Sequence, residues 1–500
     1  MFDSSTNLAV TLDEPSPLRR LLAKIAPVKR EEVATVAILT LNVFVLLTCY
    51  YVLKVVREPL ILLGGGAELK AYASAGQTVL LLAVVPAFGW LSSRVTRLRL
   101  LTTMQLVFIV CLVGFYALAQ IKAPIGLAFY LWLGIFNILV VSNFWSFAND
   151  LYNEEQGKRL FAVIGVGASI GAIIGAFVPQ LLHRFLGAYQ LMLVAAGGLA
   201  LSVVMYRFVD IRERARATRG RPAGAAPAVE PEMTRKGGFG LVMKDRYLRV
   251  LAAMLLVATI INTTGEYVIG KMATDQSKDY AAEVARTAPA AAPAPAGGAA
   301  TSATPAAKPA AGGHADVDSA QGRYLSDFYS SYYTVVNLLS FLLQALVVAR
   351  LLSWLGIRRA LFVMPLIVLG GWLALGLFVT ITAVRIEKTA ENSLDYSLHN
   401  TLRQALFLPT SRDSKYKAKA AIDTFFFRMG DVIAGLGIVV LFVEILGLGV
   451  RAFAGLNVVL AVCWLLLAAR AGRLHDKLAA ASAAAPAEEE PQPGRNGARR

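Results

Sequence analysis

The sequence predicts an all-α membrane protein of about twelve transmembrane helices, arranged as two six-helix halves. Mean hydropathy is +0.58, and only 16% of the residues are charged, against about 25% in an average soluble chain. The apolar residues form long runs: residues 361–384 carry no charge, and residues 98–121 are interrupted only by Arg99. Apolar runs of about 18 residues or more are typical of membrane-spanning helices, because a helix satisfies its own backbone hydrogen bonds in hydrocarbon.

Six spans are predicted in each half. Those of the first half are residues 33–56, 71–92, 98–120, 125–148, 160–182 and 188–209. Those of the second half are residues 247–269, 325–349, 359–384, 386–408, 421–446 and 450–470. The span at 386–408 has the weakest hydropathic signal, since it carries Glu387, Lys388, Glu391, Asp395, His399 and Arg403.

The remaining segments divide the chain into domains. A polar N-terminal segment, 1–32, precedes the first half (33–209), and a basic linker, 210–246, leads to the second half (247–470). The Ala- and Pro-rich loop 275–322 and the tail 471–500 have compositions that bury little apolar surface, so both are predicted to be disordered.

The distribution of basic residues predicts the orientation. One set of loops holds Arg19, Arg20, Lys24, Lys29, Arg30, Arg94, Arg97, Arg99, Lys158, Arg159, the cluster from Arg207 to Arg249, Arg350, Arg358, Arg359, Lys415, Lys417 and Lys419. The opposite set is sparse, with Lys70, Lys122, Arg184, Arg385 and Arg451. The positive-inside rule therefore places both termini in the cytoplasm of a bacterium, with the protein in the inner membrane and the loop 275–322 on the outer side. It also explains the net charge of +16 without nucleic acid as a partner.

Ionisable residues inside the spans are the candidate functional residues, because each costs about 2.5–3.5 kcal/mol on insertion scales. Several lie at span ends, where the side chain can reach the interface: Lys54, Arg57, Glu58, Asp150, Glu266, Lys271, Arg428 and Asp431. Four more, Glu391, Asp395, His399 and Arg403, follow four-residue spacing on one face of the tenth span. We expect that face to line a water-filled cavity, with the bilayer and a small solute as the partners.

Other motifs are consistent with paired repeats or with helix packing. The loop at 89–97 reads Gly-Trp-Leu-Ser-Ser-Arg-Val-Thr-Arg, similar to a conserved loop of the major facilitator superfamily, and Leu-Gly-Ile-Arg-Arg at 355–359 lies six spans later. Span five carries Gly167, Gly171 and Gly175 at four-residue spacing, a pattern that favours close packing of helices.

The sequence resembles the nucleotide (ATP/ADP) translocases of bacteria and plastids. Residues 393–398 (Ser-Leu-Asp-Tyr-Ser-Leu) and 417–423 (Lys-Ala-Lys-Ala-Ala-Ile-Asp) are similar to the family's Lys-Tyr-Ser-Leu and Lys-Gly-Lys-Ala-Ala-Ile-Asp. Residues 147–150 (Phe-Ala-Asn-Asp) and 53–58 (Leu-Lys-Val-Val-Arg-Glu) lie where the family has Phe-Ala-Asn-Glu and Leu-Arg-Asp-Thr-Lys-Asp. The sequence departs from the family at two positions. Gln404 stands where the family has an acidic residue, and Asp431 stands where the family has a lysine.

The resemblance implies a major-facilitator-like antiporter that binds and exchanges ATP and ADP. Its anionic substrate would contact Lys54, Arg57, Lys271, Arg403, Arg428, Lys417 and Lys419, since cations recognise phosphate. Gating or proton coupling would fall to Asp150, Glu266, Glu391, Asp395 and His399. We expect a monomer with no cofactor and no metal.

Two alternatives stay open. One is a proton-coupled major-facilitator carrier of another organic anion, which the substitution of a cation by Asp431 favours. The other is a protein of a different class, a non-transporting scaffold or a membrane enzyme. Against an enzyme, the sequence has no Walker loop, no cluster of metal-ligand type and only four histidines.

Overall fold

The computed structural model describes residues 29, 32–92, 94–152, 154–182, 185–220, 238–287, 316–411, 414 and 418–484. Every regular element in these ranges is helical. Eight helical segments are long and apolar enough to cross a bilayer by length and composition.

The first half contains five long helical segments. They are α1 (Val33–Ser92), α2 (Arg97–Gln120), α3 (Gly126–Leu151), α4 (Glu154–Leu182) and α5 (Gln190–Gly220). Helix α1 contains two spans, because Gly65 and Gly66 leave helical geometry. Gly66 has a φ of 74°, a left-handed conformation that glycine adopts without a steric penalty. The first half therefore has six spans.

The second half begins with a short helix, α6 (Gly238–Lys244), and then has six spans. These are α7 (Arg246–Thr287), α8 (Ala320–Leu342, continued by Leu343–Val348 and Ala349–Ala360), α9 (Val363–Leu377), α10 (Ile381–Leu394, Asp395–His399 and Asn400–Ala405), α11 (Lys419–Ala421, Ile422–Phe426, Phe427–Val432 and Ile433–Ile445) and α12 (Val450–Ala484). Residues 395–399 of α10 form a π-helical turn. The predicted all-α architecture of about twelve spans in two halves is confirmed.

Three segments predicted to be linker or disordered are helical at their ends. Helix α7 continues to Thr287, α5 to Gly220 and α12 to Ala484. The prediction of disorder is therefore wrong for residues 275–287 and 471–484. Alanine and glutamate in these extensions are strong helix formers, and the Tyr280 ring packs 5.4 Å from that of Tyr324. The rest of loop 275–322 up to residue 315, and most of segment 1–32, lie outside the described residues.

Each half has its own apolar core. One buried cluster is built mainly around α2, α3 and α5 and includes Phe129, Phe136 and Phe144. The other lies mainly among α7, α9 and α12 and includes Trp372 and Trp464. Large apolar side chains are also exposed on the outside of the bundle, among them Val110, Val204 and Leu466, as expected of surfaces that contact lipid.

The glycine stripe of α4 packs against α1. A Cβ atom at Gly167, Gly171 or Gly175 would overlap the backbone carbonyl of Thr40, Phe44 or Thr48, respectively. The Thr48 hydroxyl donates to the Gly171 carbonyl at 3.3 Å. The stripe therefore brings two helices of the first half into backbone contact, as its spacing predicts.

Candidate functional site

A polar cavity of about 250 Å³ lies between the two halves. The first half contributes residues of α1 and Tyr130 of α3, and the second contributes residues of α7, α8, α10 and α11. Four cations (Lys54, Arg57, Lys70 and Arg428) and two carboxylates (Glu266 and Asp431) line it. The lining therefore has an excess of positive charge, which suits an anionic ligand.

Lys54 is held by aromatic rings. Its ammonium lies 4.1 Å from the ring centroid of Tyr333 and 5.2 Å from that of Tyr51, and the residue is 9% exposed. No carboxylate of the described residues lies within ion-pair distance of it. Cation–π contacts offset part of the desolvation of a buried ammonium, but they leave its charge without a counter-ion. Lys54 is thus a cation whose charge an incoming anion could neutralise.

Next to Lys54, a network of ion pairs joins the halves. Glu58, fully buried, pairs with Arg57 and, at 2.8 Å, with Lys70. Lys70 also reaches Glu266 of the second half at 3.3 Å. The Tyr333 hydroxyl donates to Glu58 at 3.0 Å. These buried charges are compensated by one another, as charges removed from water must be.

Sequence reasoning missed Lys70, which it counted as an outer-loop residue. The turn at Gly65 and Gly66 is so short that Lys70 already lies within the second arm of α1, facing Glu58. The available signal was the Gly-Gly-Gly run at 64–66, which permits a break of two residues in place of a loop.

Arg428 and Asp431 line the side of the cavity formed by α11. The Arg428 guanidinium lies 3.5 Å from the Asp431 carboxylate, and the Thr263 hydroxyl donates to the other Asp431 oxygen at 2.7 Å. Arg428 is one of the predicted substrate contacts and lies at the cavity. Asp431, which replaces the lysine of the resembled family, brings a negative charge to the same wall.

The charged face of α10 does not line this cavity, which corrects the sequence prediction. Asn392 and Tyr396 of α10 face it instead. Glu391 is 2% exposed and pairs with Lys388 at 2.9 Å, and His399 is buried against the Trp464 ring at 5.6 Å. Lys388 and Glu391 lie inside the second half, where their charges neutralise each other. The uncharged polar side chains of Asn392 and Tyr396 line the cavity.

Arg403 lies in the last segment of α10, and Asp395 begins its central π-helical turn. The Arg403 guanidinium is 3.9 Å from Asp423 and donates to Asn400 at 3.3 Å. Neither Arg403 nor Asp395 lines the cavity. Of the predicted substrate contacts Arg57 and Arg403, the first lines the cavity and the second lies apart from it.

The other predicted residues are also spread over the bundle. Lys271 lies beyond the cavity, 3.8 Å from Glu68. Lys419 donates to Gln404 at 2.6 Å. Asp150 is exposed at the end of α3. Lys417 lies outside the described residues.

A buried acidic cluster lies behind the cavity. Glu387 is 5% exposed, and neither of its carboxylate oxygens has a hydrogen-bond partner among the described residues. Lys388, beside it, donates to the Asn262 side chain at 2.8 Å, and Asn262 lines the cavity. Within the described residues, no group of His, Cys, Asp and Glu is arranged to hold a metal ion.

The halves are closed together at the end of the bundle away from the termini. Tyr267 donates to Glu68 at 3.1 Å, and Tyr72 donates to Glu444 at 3.2 Å. Together with Lys70–Glu266 and Lys271–Glu68, these contacts tie the second arm of α1 to α7 and α11. The cavity is thus closed on that side by polar contacts between the halves.

The chain is similar to solved structures of transporters, whereas no protein-family model and no curated protein sequence matches it. A POT-family transporter in complex with 5-aminolevulinic acid matches at a TM-score of 0.56 and 12% identity, over 89% of this chain and 96% of the other. The nucleoside transporter NupG matches at 0.55 and 12%, over 86% and 99%. A bacterial homologue of the human lysosomal transporter Spinster, inward-facing and unoccupied, matches at 0.52 and 13%, over 92% and 100%.

These similarities show the fold of the chain. The chain has the major-facilitator-like architecture, a bundle of two six-helix halves with a polar cavity between them. Membership of the nucleotide translocases, which the sequence motifs imply, stays a prediction.

Proposed function

We propose that this chain is a secondary transporter that moves an anionic solute across the membrane by alternating access. The observation that carries the proposal is Lys54, a buried cation at a cavity between two rigid halves, with no carboxylate partner among the described residues. An anion bound there would gain a favourable Coulomb interaction with the Lys54 ammonium. A scaffold or an enzyme gives no reason for this uncompensated charge.

The contacts between the halves suit alternating access. Lys70–Glu266 and Lys271–Glu68 join the halves at the end away from the termini. Rocking of the halves to open that end would break both ion pairs. A ligand bound beside Arg57 and Lys70 would change the electrostatic potential at these pairs and so their strength. Among the predicted gating residues, the contact of Glu266 with Lys70 supports a gating role.

Nucleotide exchange of the ATP/ADP type is the specific activity that the sequence resemblance implies. Arg57, Arg428 and Lys54 provide cations for phosphate, and guanidinium groups bind phosphate bidentately. Asp431 and Glu266 oppose a highly charged polyphosphate at the same cavity. Direct comparison of nucleotides with anions of lower charge therefore decides the substrate class.

A proton-coupled carrier of another organic anion is the second candidate, and Glu387 favours it. A carboxyl group that is buried without hydrogen-bond partners is costly to ionise, so protonation of Glu387 could follow the state of the Lys388–Glu391 pair. Asn262, which binds Lys388 and lines the cavity, connects this cluster to the substrate site.

Transport by purified protein in proteoliposomes tests the proposal. Vesicles loaded with ADP, ATP, phosphate or a short organic acid are assayed for uptake of the same labelled anion, with and without a pH gradient. We expect uptake of at least one anion. Lys54→Gln should raise the Kd of that anion roughly ten- to over a hundredfold, since a charge-assisted contact is worth about 1.5–3 kcal/mol.

Lys122→Gln is the matched control, because Lys122 is exposed between α2 and α3, away from the cavity. It should transport and bind as the wild type does. If no anion is taken up or bound, or if Lys54→Gln and Lys122→Gln behave alike, anion transport through this cavity is wrong. Stimulation by a pH gradient without counter-substrate would select the proton-coupled candidate over exchange.

A further inference from the structure

A second cavity, of about 650 Å³, adjoins the polar one on the side of the termini. It lies between α1, α4, α8 and α10, and we name it the apolar chamber. Its walls are mostly small or apolar side chains, including Leu47, Val166, Ala168, Ala172 and Phe341. None of the site residues predicted from the sequence lines it.

Three polar side chains of the apolar chamber are already bonded to the protein backbone. The Ser340 hydroxyl donates to the Val336 carbonyl at 2.6 Å, and the Ser169 hydroxyl donates to the Gly165 carbonyl at 3.3 Å. The Asn337 amide donates to the Ala172 carbonyl at 3.1 Å. Gln344, which is exposed, accepts a hydrogen bond from the Thr401 hydroxyl at 3.3 Å. The other three side chains offer few unused donors, so a polar ligand group beside them would lose hydration without replacement.

The apolar chamber and the polar cavity are adjacent at two tyrosines. Tyr396, in the π-helical turn of α10, lines both cavities. Tyr51 lines the chamber, and its ring lies 5.2 Å from the Lys54 ammonium. A single ligand can therefore place one end at Lys54 and the other in the chamber, and pockets of about 300–1,000 Å³ are usual for organic ligands of drug size.

We infer that the substrate is an amphipathic organic anion whose charged group binds at Lys54 and whose hydrocarbon body occupies the apolar chamber. This inference rests on the proposed anion transport and specifies the anion. Charge complementarity at Lys54 fixes one end of the ligand, and the mostly small and apolar walls of the chamber select the chemistry of the other. A nucleotide fits the chamber less well, because the hydrogen-bonding edges of its base would stay unpaired there.

Binding of a series of alkyl phosphates tests the inference. Methyl, butyl and hexyl phosphate are titrated calorimetrically into the protein in lipid nanodiscs, with ADP and inorganic phosphate alongside. Affinity should rise about fourfold for each added CH₂ group, the gain expected on its burial. ADP should bind more weakly than hexyl phosphate. Lys54→Gln should weaken binding of the whole series, which distinguishes the site from partitioning into lipid.

Two substitutions fill the apolar chamber. Ala345→Phe and Ala162→Leu change exposed alanines that line it, so neither disturbs a packed core. Each should abolish the dependence on chain length while leaving methyl phosphate binding unchanged. Ala349→Phe, one turn beyond Ala345 and outside the lining, is the control and should keep the full dependence.

The outcomes separate this inference from the proposed function. If methyl and hexyl phosphate bind equally well, or ADP binds more tightly than either, the inference that the substrate has a hydrocarbon body is wrong. The proposal that the site binds an anion would still stand. A full dependence on chain length in both chamber variants would also overturn the inference. If no anion binds at all, the proposed function fails with it.

Discussion

Among the described residues of the first half, some buried charges are paired, whereas Lys54 has no counter-ion within ion-pair distance. Glu32, which precedes α1, is 3% exposed and accepts two hydrogen bonds from the Arg159 guanidinium at 2.9 and 3.0 Å. It also accepts from the Lys29 backbone N–H and the Gln156 amide. Lys54, by contrast, has two aromatic rings beside its ammonium and no ion pair among the described residues. The first arrangement serves stability, and the second leaves a charge for a ligand.

The Glu32 clamp predicts a pH-dependent contribution to stability. Burial raises the pKa of Glu32, but the hydrogen bonds from Arg159, Lys29 and Gln156 outweigh it, so the pKa lies below the usual 4.5. A carboxylate with a lowered pKa stabilises the fold above its unfolded-state value, and this stabilisation is lost as the pH falls through the folded-state pKa. Glu32→Gln should therefore lower the thermal midpoint at pH 7, with a loss of about 1.5–3 kcal/mol.

Thermal unfolding at fixed detergent, recorded from pH 7 down to the region below 4.5, measures this effect. The difference between wild type and Glu32→Gln should shrink as the pH falls. Glu283→Gln, at an exposed position of α7, is the control and should show no difference. A constant gap across the pH range would mean that packing, and not the charge, holds Glu32.

At the scale of the element, helix breaks and close packing determine how the spans are placed. Gly66 breaks α1 and Gly356 breaks α8, each with a positive φ, so that both turns are short. The stripe of Gly167, Gly171 and Gly175 then brings α4 against the first arm of α1. Since Lys54 and Arg57 lie on that arm, the packing of α4 fixes one wall of the cavity.

Gly171→Ala is predicted to destabilise the bundle although alanine favours helix. The added Cβ would overlap the Phe44 carbonyl, and relief requires a shift of backbone in α1 or α4, at a cost of about 1–3 kcal/mol. Gly165→Ala is the matched control, because a Cβ there meets nothing within 4 Å, and it should be neutral or slightly stabilising. Thermal unfolding of both variants measures the difference; equal stability would show that α1 and α4 adjust freely.

At the scale of the whole molecule, the halves meet through polar contacts at one end and through small residues along their length. Gly435 of α11 approaches the Ala71 carbonyl of α1 so closely that a Cβ there would overlap it. The Ser330 hydroxyl of α8 donates to the Ala176 carbonyl of α4 at 2.6 Å. Interfaces of this kind allow two rigid bodies to rock with little repacking, which suits the proposed transport cycle.

The proposed orientation in the inner membrane predicts opposite labelling of the two ends. Cysteine introduced at Lys122, between α2 and α3, should react with an impermeant maleimide in cells made permeable only at the outer membrane. Cysteine at Lys477, near the end of α12, should react only after the inner membrane is opened. The native Cys49, Cys111 and Cys463 lie within spans, and the wild type provides their background. Labelling at Lys477 but not at Lys122 would reverse the orientation.

The sequence by itself determined the number of spans, the division into halves and the presence of Lys54, Arg57, Glu266 and Arg428 among the candidate site residues. These follow from local properties: an apolar run long enough for the bilayer identifies a helix, and a charge within it is costly wherever the helix lies.

Only the tertiary structure decided which charges meet. It brought Lys70 to Glu58 through the turn at Gly65 and Gly66, and it turned Glu391 and His399 away from the cavity into the second half. It also placed the apolar chamber beside Lys54, where no motif marks it. The physical reason is that the energy of a buried charge depends on partners distant in the chain. Helical periodicity shows which residues share a face of a helix, but not which helix packs against that face.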